Sequence, residues 1–350
     1  MRTPSPLAVV SSTSTPYLFS ESQSRLRYAV LGAGFAGLSV AYHLLKQSPK
    51  DSNLCIDIFD EVGIGGGASG VSAAVPPNSD DAPIVRRRGI LRPALSMKNM
   101  MMLKDNAQNG LASCRIETID KDGAQNLVPG ICLPLNTSFY MPEAVNVHPQ
   151  RYLQALFLAC QNLVKELCDY GLGVKELRLH KDSVHKLLDL EGEYQAVIVC
   201  LGAKVEMLPE LCGRLPLRTC RGVVAHLQLP DYMGEEYPSF GPSILSDAWL
   251  AVQGPRSLCM GSTWEWNSRN SSSNVFADEA AEALEELLPK ACGIYPVVII
   301  ELANTGYLEG LVQGDCLYHG WLGKLMAQAV LSCKEELIPY ELTSWKRTKQ

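Results

Sequence analysis

Three glycines near the amino end have the spacing of a nucleotide-binding turn. Gly32, Gly34 and Gly37 form the pattern G-x-G-x-x-G. The pattern follows the apolar run Tyr28–Leu31, which predicts a buried strand, and precedes helical spacing over Leu38–Leu45. In such a turn the first glycine permits the tight bend, the second admits a pyrophosphate and the third lets the helix pack on the strand. The amino end of the helix then offers N–H groups to the phosphates.

A second strand is predicted over Cys55–Phe59, and acidic residues follow it. An acid at this position can accept hydrogen bonds from the hydroxyls of an adenosine ribose. Asp60 is the preferred candidate, although it lies 28 positions after Gly32, beyond the roughly 20 that are usual. The polar stretch Gln47–Asn53 can hold the extra residues, and Glu61 is the alternative acid. A glycine-rich turn in an unrelated α/β protein is the competing interpretation.

The segment Val62–Gly70 is unusually rich in small residues. Its sequence, VGIGGGASG, lets the backbone lie close against a large ligand, and Ser69 adds a hydroxyl. A simple nicotinamide-binding domain does not need such a loop, whereas an extended flavin dinucleotide does. A flexible surface loop is the competing interpretation.

A third strand is predicted over Tyr194–Ala203. Its Val and Ile residues run without alternation, which indicates burial on both faces, as in a parallel sheet. Gly202 ends this strand, where doubly wound sheets bind their ligands. The predicted cofactor-binding residues are Gly32, Ala33, Gly34, Phe35, Ala36, Gly37, Asp60, Glu61, Gly67, Ala68, Ser69 and Gly202.

The rest of the chain alternates between helical and strand patterns. Helices are predicted near Leu95–Leu103, over Tyr152–Leu167 behind Pro149, over Ala277–Leu288 and over Leu317–Leu331. Strands are predicted within Asn109–Pro142, Val145–Pro149, Leu215–Val224, Trp249–Val252 and Leu258–Thr263.

Composition narrows the possible partners and cofactors. The 350 residues suffice for two domains, and the net charge of −6 gives no general attraction to nucleic acid or anionic membranes. The basic run Arg86–Arg88 is interpreted as a solvated loop. Twelve cysteines occur without CxxC pairs, which favours buried thiols over a zinc site or disulfides. No apolar stretch has the about 20 residues that cross a bilayer.

The stretch Met1–Arg27 differs from the remainder. It contains ten Ser or Thr residues, three Arg and one acid, Glu21. This composition is typical of organellar transit peptides, and the chloroplast or another organelle is the expected location. A disordered tail of a cytoplasmic protein is the alternative.

Six segments together resemble the FAD-dependent oxidoreductases of the D-amino-acid oxidase-like family, which includes glycine and sarcosine oxidases. They are Gly32–Gly37, Gly66–Gly70, Val145–Leu156, Ile198–Ala203, Arg221–Gly222 and Leu317–Lys324. The resemblance is greatest to plant-type members, and it covers Tyr28 to about Leu288 and resumes at about Gly314. It implies an α/β protein with a Rossmann-like, glutathione-reductase-like FAD-binding domain and an inserted antiparallel β-rich substrate domain.

The resemblance also implies domain bounds and an activity. The FAD-binding domain would comprise residues 28–105, 145–213 and 314–350, and the substrate domain residues 106–144 and 214–313. In the family a small amine or amino acid is oxidised by hydride transfer from its α-carbon to flavin N5. The cofactor carries this chemistry, so no dedicated nucleophile is required and no catalytic side chain is assigned.

One segment departs from the family pattern. Family members carry an arginine for the substrate carboxylate before the last helix, but Pro289–Gln313 contains no arginine and is short for the usual strands. Gly314-Asp315 stands where an Ala/Ser-Arg type pair is expected. Arg221 and Arg218 are the nearest replacements, because planar guanidinium groups bind carboxylates bidentately. Structural roles at strand ends are the alternative for both.

Three functional hypotheses remain open from the sequence. The first is an FAD-dependent oxidoreductase acting on a small amine or amino acid. The second is a flavoenzyme of tRNA wobble-uridine modification, since part of the resemblance extends to the oxidase domain of such an enzyme, although the acidic composition disfavours RNA binding. The third is a degenerate flavin-binding protein. Tyr318 and His319, at the start of the last helix, are candidates to face the flavin or to serve packing alone.

Overall fold

The computed structural model describes residues 25–71, 83–110, 114–170, 173–215, 217–228, 241–252, 257–266, 275–296, 306–312 and 318–343. Most of the predicted leader and the pair Gly314-Asp315 lie outside these residues. The first strand nevertheless begins at Leu26, so Leu26 and Arg27 belong to the fold and not to the leader.

The chain forms fourteen strands and eight α-helices within the described residues. The strands are β1 Leu26–Leu31, β2 Leu54–Phe59, β3 Val85–Arg86, β4 Ile90–Pro93, β5 Glu117–Asp120, β6 Thr137–Met141, β7 Asn146–Val147, β8 Lys175–His180, β9 Ala196–Val199, β10 Arg221–Gln228, β11 Ser243–Ile244, β12 Trp249–Val252, β13 Ser257–Gly261 and β14 Gly306–Val312. The helices are α1 Phe35–Gln47, α2 Ala68–Val71, α3 Met97–Gln108, α4 Lys121–Leu127, α5 Pro149–Asp169, α6 Ala277–Ile294, α7 His319–Ser332 and α8 Tyr340–Thr343.

A four-stranded parallel sheet has the order β8-β2-β1-β9. Val30 in the centre of β1 lies between Ile58 of β2 and Ile198 of β9, and all three side chains are buried. Helices α1, α5 and α7 pack on this sheet through their apolar faces, and the thiol of Cys160 in α5 is fully buried among them. The parallel strands predicted from the unbroken apolar runs are confirmed.

One buried carboxylate of this sheet is hydrogen-bonded by side chains from neighbouring segments of the chain. The Asp57 side chain in β2 is almost fully buried and accepts hydrogen bonds from His180 Nε2 at 2.8 Å, the Tyr194 hydroxyl at 3.1 Å and Arg27 Nη2 at 3.3 Å. Burial by itself would raise the pKa of Asp57, but these donors outweigh it, so that the pKa lies below its usual value.

An eight-stranded sheet has the order β14-β10-β13-β12-β11-β4-β6-β5. Its pairs are antiparallel except for β11 with β4, which is parallel. Helices α4 and α6 cover one face, where Leu91, Ile244, Leu250 and Met260 form a core with Leu287 of α6. Strand β4 was predicted within the first domain, which would include residues 28–105. It lies in the large sheet instead, because its partners β6 and β11 are there.

Two predicted elements differ from those observed near the carboxyl end. Helix α6 was expected to end at Leu288, but it continues through Pro289 to Ile294. The segment after it was judged too short for the usual strands, yet β14 forms there and pairs with β10 from Arg221↔Val312 to Leu227↔Gly306. The other predicted helices and strands are present, with ends shifted by a few residues or more.

Candidate nucleotide-binding site

The glycine turn is packed too closely for side chains at two of its positions. Gly32 has a φ of +107°, and a Cβ there would lie 2.4 Å from the carbonyl oxygen of Cys200. A Cβ on Gly37 would lie 1.9 Å from the carbonyl oxygen of Gly32. The turn therefore lies tightly between the end of β9 and the first turn of α1, and only glycine fits at both positions.

Asp60 lies at the turn, as expected, but its carboxylate mainly organises the backbone. Oδ2 accepts the N–H of Ala33 at 2.8 Å, and Oδ1 accepts those of Val62 at 3.1 Å and Gly63 at 2.9 Å. A carboxylate has about four acceptor positions. Three of them are taken by these N–H groups, so the carboxylate ties the turn to the following loop and keeps one acceptor position for a further donor.

The small-residue loop folds back on the amino end of α1. Gly65 donates its N–H to the Ala33 carbonyl at 3.1 Å, and Ser69 Oγ accepts the N–H of Phe35 at 3.3 Å. A Cβ on Gly34 would lie 2.8 Å from Ser69 Oγ. This helix end has no acidic residue in its first turn, so its positive partial charge is available to an anion. The backbone approach and the hydroxyl suit a pyrophosphate.

The other predicted loop residues border this turn. Gly67 has open space, since a Cβ there would meet nothing within 4 Å among the described residues. Ala68 begins α2. Gly202 has a φ of +55° and begins a short 3-10 helix, Gly202–Met207, after β9. Glu61 is exposed and its Oε2 receives Lys204 Nζ at 3.1 Å, which joins the loop to that helix.

Phe35 contributes its backbone to the turn, while its ring is used for packing. The ring is buried, with centroids 5.0 Å from His319 and 5.8 Å from Tyr152. The Tyr152 hydroxyl and His319 Nε2 lie 2.9 Å apart, and Ser39 Oγ donates to the His319 carbonyl at 2.8 Å. These contacts fasten the start of α7 to α1 and α5. Sequence reasoning missed Tyr152 and Ser39, because both look like ordinary helix-face residues.

The two arginines proposed from the sequence for a carboxylate ligand have other roles. The Arg221 side chain is almost fully buried and pairs with Glu265 at 2.9 Å and Glu279 at 3.2 Å. Arg218 lies 4.6 Å from the ring centroid of Trp266 on an exposed surface. Because these glutamates neutralise Arg221, the expectation that it binds a substrate carboxylate is not supported.

Within the described residues, no group of three or more His, Cys, Asp or Glu side chains could hold a metal ion. None of the helices described is both long and apolar enough to cross a membrane.

A parallel sheet with this glycine turn, acid and serine loop defines a dinucleotide-binding protein of the Rossmann type, here joined to a large mixed sheet. The chain belongs to the family described as DAO, FAD dependent oxidoreductase, which matches residues 78–312. The enzyme is therefore an FAD-dependent oxidoreductase. The matched range begins after the glycine turn, so the turn is an observation independent of the match.

Solved structures with the same fold come from distant proteins. Glycine oxidase from Geobacillus kaustophilus has 15% identity and a TM-score of 0.64, over 90% of this chain and 97% of that one. L-proline dehydrogenase from P. horikoshii has 12% identity and a TM-score of 0.67, over 92% and 98%. Fructosamine oxidase from Aspergillus fumigatus has 12% identity and a TM-score of 0.59, over 91% and 88%. No curated protein matches the chain.

Proposed function

We propose that this enzyme oxidises a small amine or amino acid. The observation that most supports this proposal is that a chain of the DAO family carries both the glycine turn and an eight-stranded sheet. Structural neighbours of the same fold are named for glycine, proline and fructosamine substrates. FAD, when bound, would supply N5 as the acceptor of the hydride that leaves the α-carbon of the substrate.

The residues of this chain have binding and positioning roles in the proposed reaction. Gly34 and the amino end of α1 would hold the pyrophosphate of FAD together with Ser69, and Asp60 would use its remaining acceptor position for the ribose. His319 would keep the amino end of α7 in place through Tyr152.

The test begins with the colour of the purified protein. We expect yellow protein that releases FAD on denaturation, and loss of the oxidised flavin absorbance when an anaerobic sample meets an amine from a panel of amino acids and N-methyl amines. Protein that binds no FAD would refute the cofactor site. Protein that binds FAD but is reduced by no member of the panel would refute amine oxidation and favour the degenerate alternative.

The tRNA-modifying alternative makes a separate prediction. It requires affinity for tRNA that falls steeply with salt, since phosphate contacts release counterions. The net charge of −6 disfavours this binding. A filter-binding titration at two salt concentrations therefore distinguishes the two functions without knowledge of the substrate.

A further inference from the structure

The basic run Arg86–Arg88 does not form the solvated loop that its composition predicts. Arg86 ends β3 and is partly buried, and its Nη1 donates to the Val252 carbonyl of β12 at 3.2 Å. Arg88 is partly buried as well, whereas Arg87 between them is exposed. Charged side chains favour water, so the burial of two cations of this run calls for a physical reason.

The pairing of β3 with β7 places a histidine on the same face as these two arginines. Arg86 lies opposite Asn146, and the pairing continues to His148, which donates its N–H to the Ile84 carbonyl at 2.8 Å. Side chains alternate between the two faces of a strand, and residues opposite each other share a face. Arg86, Arg88 and His148 therefore project from one face of this two-stranded ribbon, and the middle arginine of the run projects from the other.

A third arginine comes from the first turn of α5. The helix begins at Pro149, so Arg151 follows His148 by three positions, which is about one helical turn. His148 is the N-cap residue, yet its side chain makes no capping hydrogen bond, and the first turn contains no acidic residue. The amino end of α5 therefore adds its partial positive charge to that of the side chains.

The side chains of Arg86, Arg88, His148 and Arg151, here called the basic cluster, repel one another. Burial, followed by the charges of Arg88 and Arg151, lowers the pKa of the Arg86 guanidinium. Burial, followed by the charges of Arg151 and Arg86, lowers the pKa of His148 as well. Among the described residues, no carboxylate contributes to either shift. Bringing like charges together opposes folding, and an anion that binds the folded protein would offset this cost.

We propose that the basic cluster is a binding site for a phosphate group that belongs to a small molecule. A phosphate monoester carries a charge of about −1.5 to −2 at neutral pH and has three acceptor oxygens, so it can accept from several guanidinium groups and from a helix end at once. A single carboxylate has too little charge for three arginines. RNA fits less well, because its backbone binds exposed basic surfaces and two of the three arginines of the run are partly buried.

The basic cluster lies beside the place assigned to the pyrophosphate of FAD. That pyrophosphate is assigned to the amino end of α1, whereas the cluster lies at the amino end of α5. The small-residue loop contacts both helix ends, because Gly65 donates its N–H to the Ala33 carbonyl at 3.1 Å and Gln150 Nε2 donates to the Ile64 carbonyl at 2.8 Å. The proposed phosphate site is thus a second anion site next to this loop, and it does not depend on amine oxidation.

The first experiment titrates the FAD-loaded enzyme by calorimetry at constant ionic strength, so that general screening of charges stays the same. Inorganic phosphate and O-phosphoethanolamine are the probes, and acetate is the comparison. We expect saturable binding of both phosphates and at least about tenfold weaker binding of acetate, which has a single charge. Equal affinity for both phosphates would support free phosphate as the ligand, and tighter binding of O-phosphoethanolamine would support a phosphorylated small molecule. No saturable binding of either phosphate, or equal binding of acetate, would overturn the inference.

The basic run offers a matched pair of variants for the same titration. Arg88→Gln removes a cation of the basic cluster, and Arg87→Gln removes its exposed neighbour. We expect Arg88→Gln to weaken phosphate binding at least about tenfold, and Arg87→Gln to bind as the unaltered enzyme does. Arg151→Gln should weaken binding to a similar extent and provides the same test if Arg88→Gln fails to fold. Equal weakening by Arg87→Gln would show a diffuse electrostatic attraction and contradict a defined site.

The last experiment separates the phosphate site from the FAD site and from RNA binding. Phosphate should raise the thermal midpoint of the unaltered enzyme and of Arg87→Gln, but much less that of Arg88→Gln, because only the folded site binds it. Arg88→Gln should keep its FAD content. Loss of FAD from this variant would show that the basic cluster belongs to the FAD site, and single-stranded RNA that binds where inorganic phosphate does not would refute a small ligand.

Discussion

The contact between Gly37 and Gly32 gives the sharpest test of the nucleotide site. In Gly37→Ala the new Cβ would lie 1.9 Å from the Gly32 carbonyl oxygen, 3.0 Å from its carbonyl carbon and 3.3 Å from Val30 Cγ1. Ordinary contacts begin near 3.4 Å, so helix and turn must separate by about 1 Å or more. Gly32 cannot easily retreat, because its N–H donates to the Phe59 carbonyl at 2.8 Å.

The size of the effect follows from two opposing contributions. Overpacking a close contact costs about 1–3 kcal/mol, and here the obstacle is backbone, so we use the upper end. Alanine in place of glycine favours a helix by about 1 kcal/mol. We therefore expect Gly37→Ala to reduce the free energy of unfolding by about 2 kcal/mol. A shift of about 1 Å at the amino end of α1 should also weaken FAD binding at least tenfold, or about 1.4 kcal/mol.

The assay compares two glycines that both lie in helices. Gly293, near the end of α6, is exposed, and a Cβ there would meet nothing within 4 Å among the described residues. Gly293→Ala should therefore keep or slightly raise stability. Chemical denaturation of the apoproteins and fluorimetric titration with FAD give the two quantities. If Gly37→Ala holds stoichiometric FAD with unaltered stability, the close packing of the turn is not needed and the reasoning is wrong.

Three further predictions concern single side chains. Asp60→Ala leaves three backbone N–H groups without their acceptor, and should weaken FAD binding by about 2 kcal/mol in equilibrium dialysis, whereas Asp60→Asn should lose less. Arg221→Met should lower the free energy of unfolding by about 3 kcal/mol, because two partly buried glutamates lose their cation; an unchanged denaturation curve would contradict this. Asp57 has a lowered pKa, so its contribution to stability is present above the unfolded carboxyl pKa of about 4 and is lost as pH falls through the folded value. The stability difference between the protein and Asp57→Asn should thus be largest near neutrality and shrink in acid; a pH-independent difference would contradict it.

Three of the four strands of the first sheet were predicted from sequence because their signals are local; β8, Lys175–His180, carries no unbroken apolar run and was not predicted. Unbroken apolar runs such as Ala196–Val199 indicate a strand buried on both faces, whatever its partners are. The spacing of Gly32 and Gly37 indicates a close approach of backbone segments that no other residue permits. The strand before this turn and the helix after it are its direct neighbours in the chain. These patterns also placed Asp60 beside the turn without any knowledge of the tertiary fold.

The large sheet shows what a local pattern cannot indicate. Strand β4 has ordinary strand character, but its place depends on β11, about 150 positions later. A short apolar strand can pair with many others, and which pairing occurs is decided by how the whole chain closes. The place of β4 in the large sheet could therefore not be predicted from the pattern of its own residues, and the domain bounds that the resemblance implied, with residues 28–105 in the first domain, did not give it either.

The sequence by itself determined the class of this protein: a dinucleotide-binding fold of the DAO family, with its glycine turn and its acid in place. Only the tertiary structure decided the roles of charged side chains. Glu265 and Glu279, 44 and 58 positions away, occupy the guanidinium of Arg221. Whether a cation is neutralised depends on which distant residues the fold brings within hydrogen-bond distance, and no spacing along the chain encodes that distance.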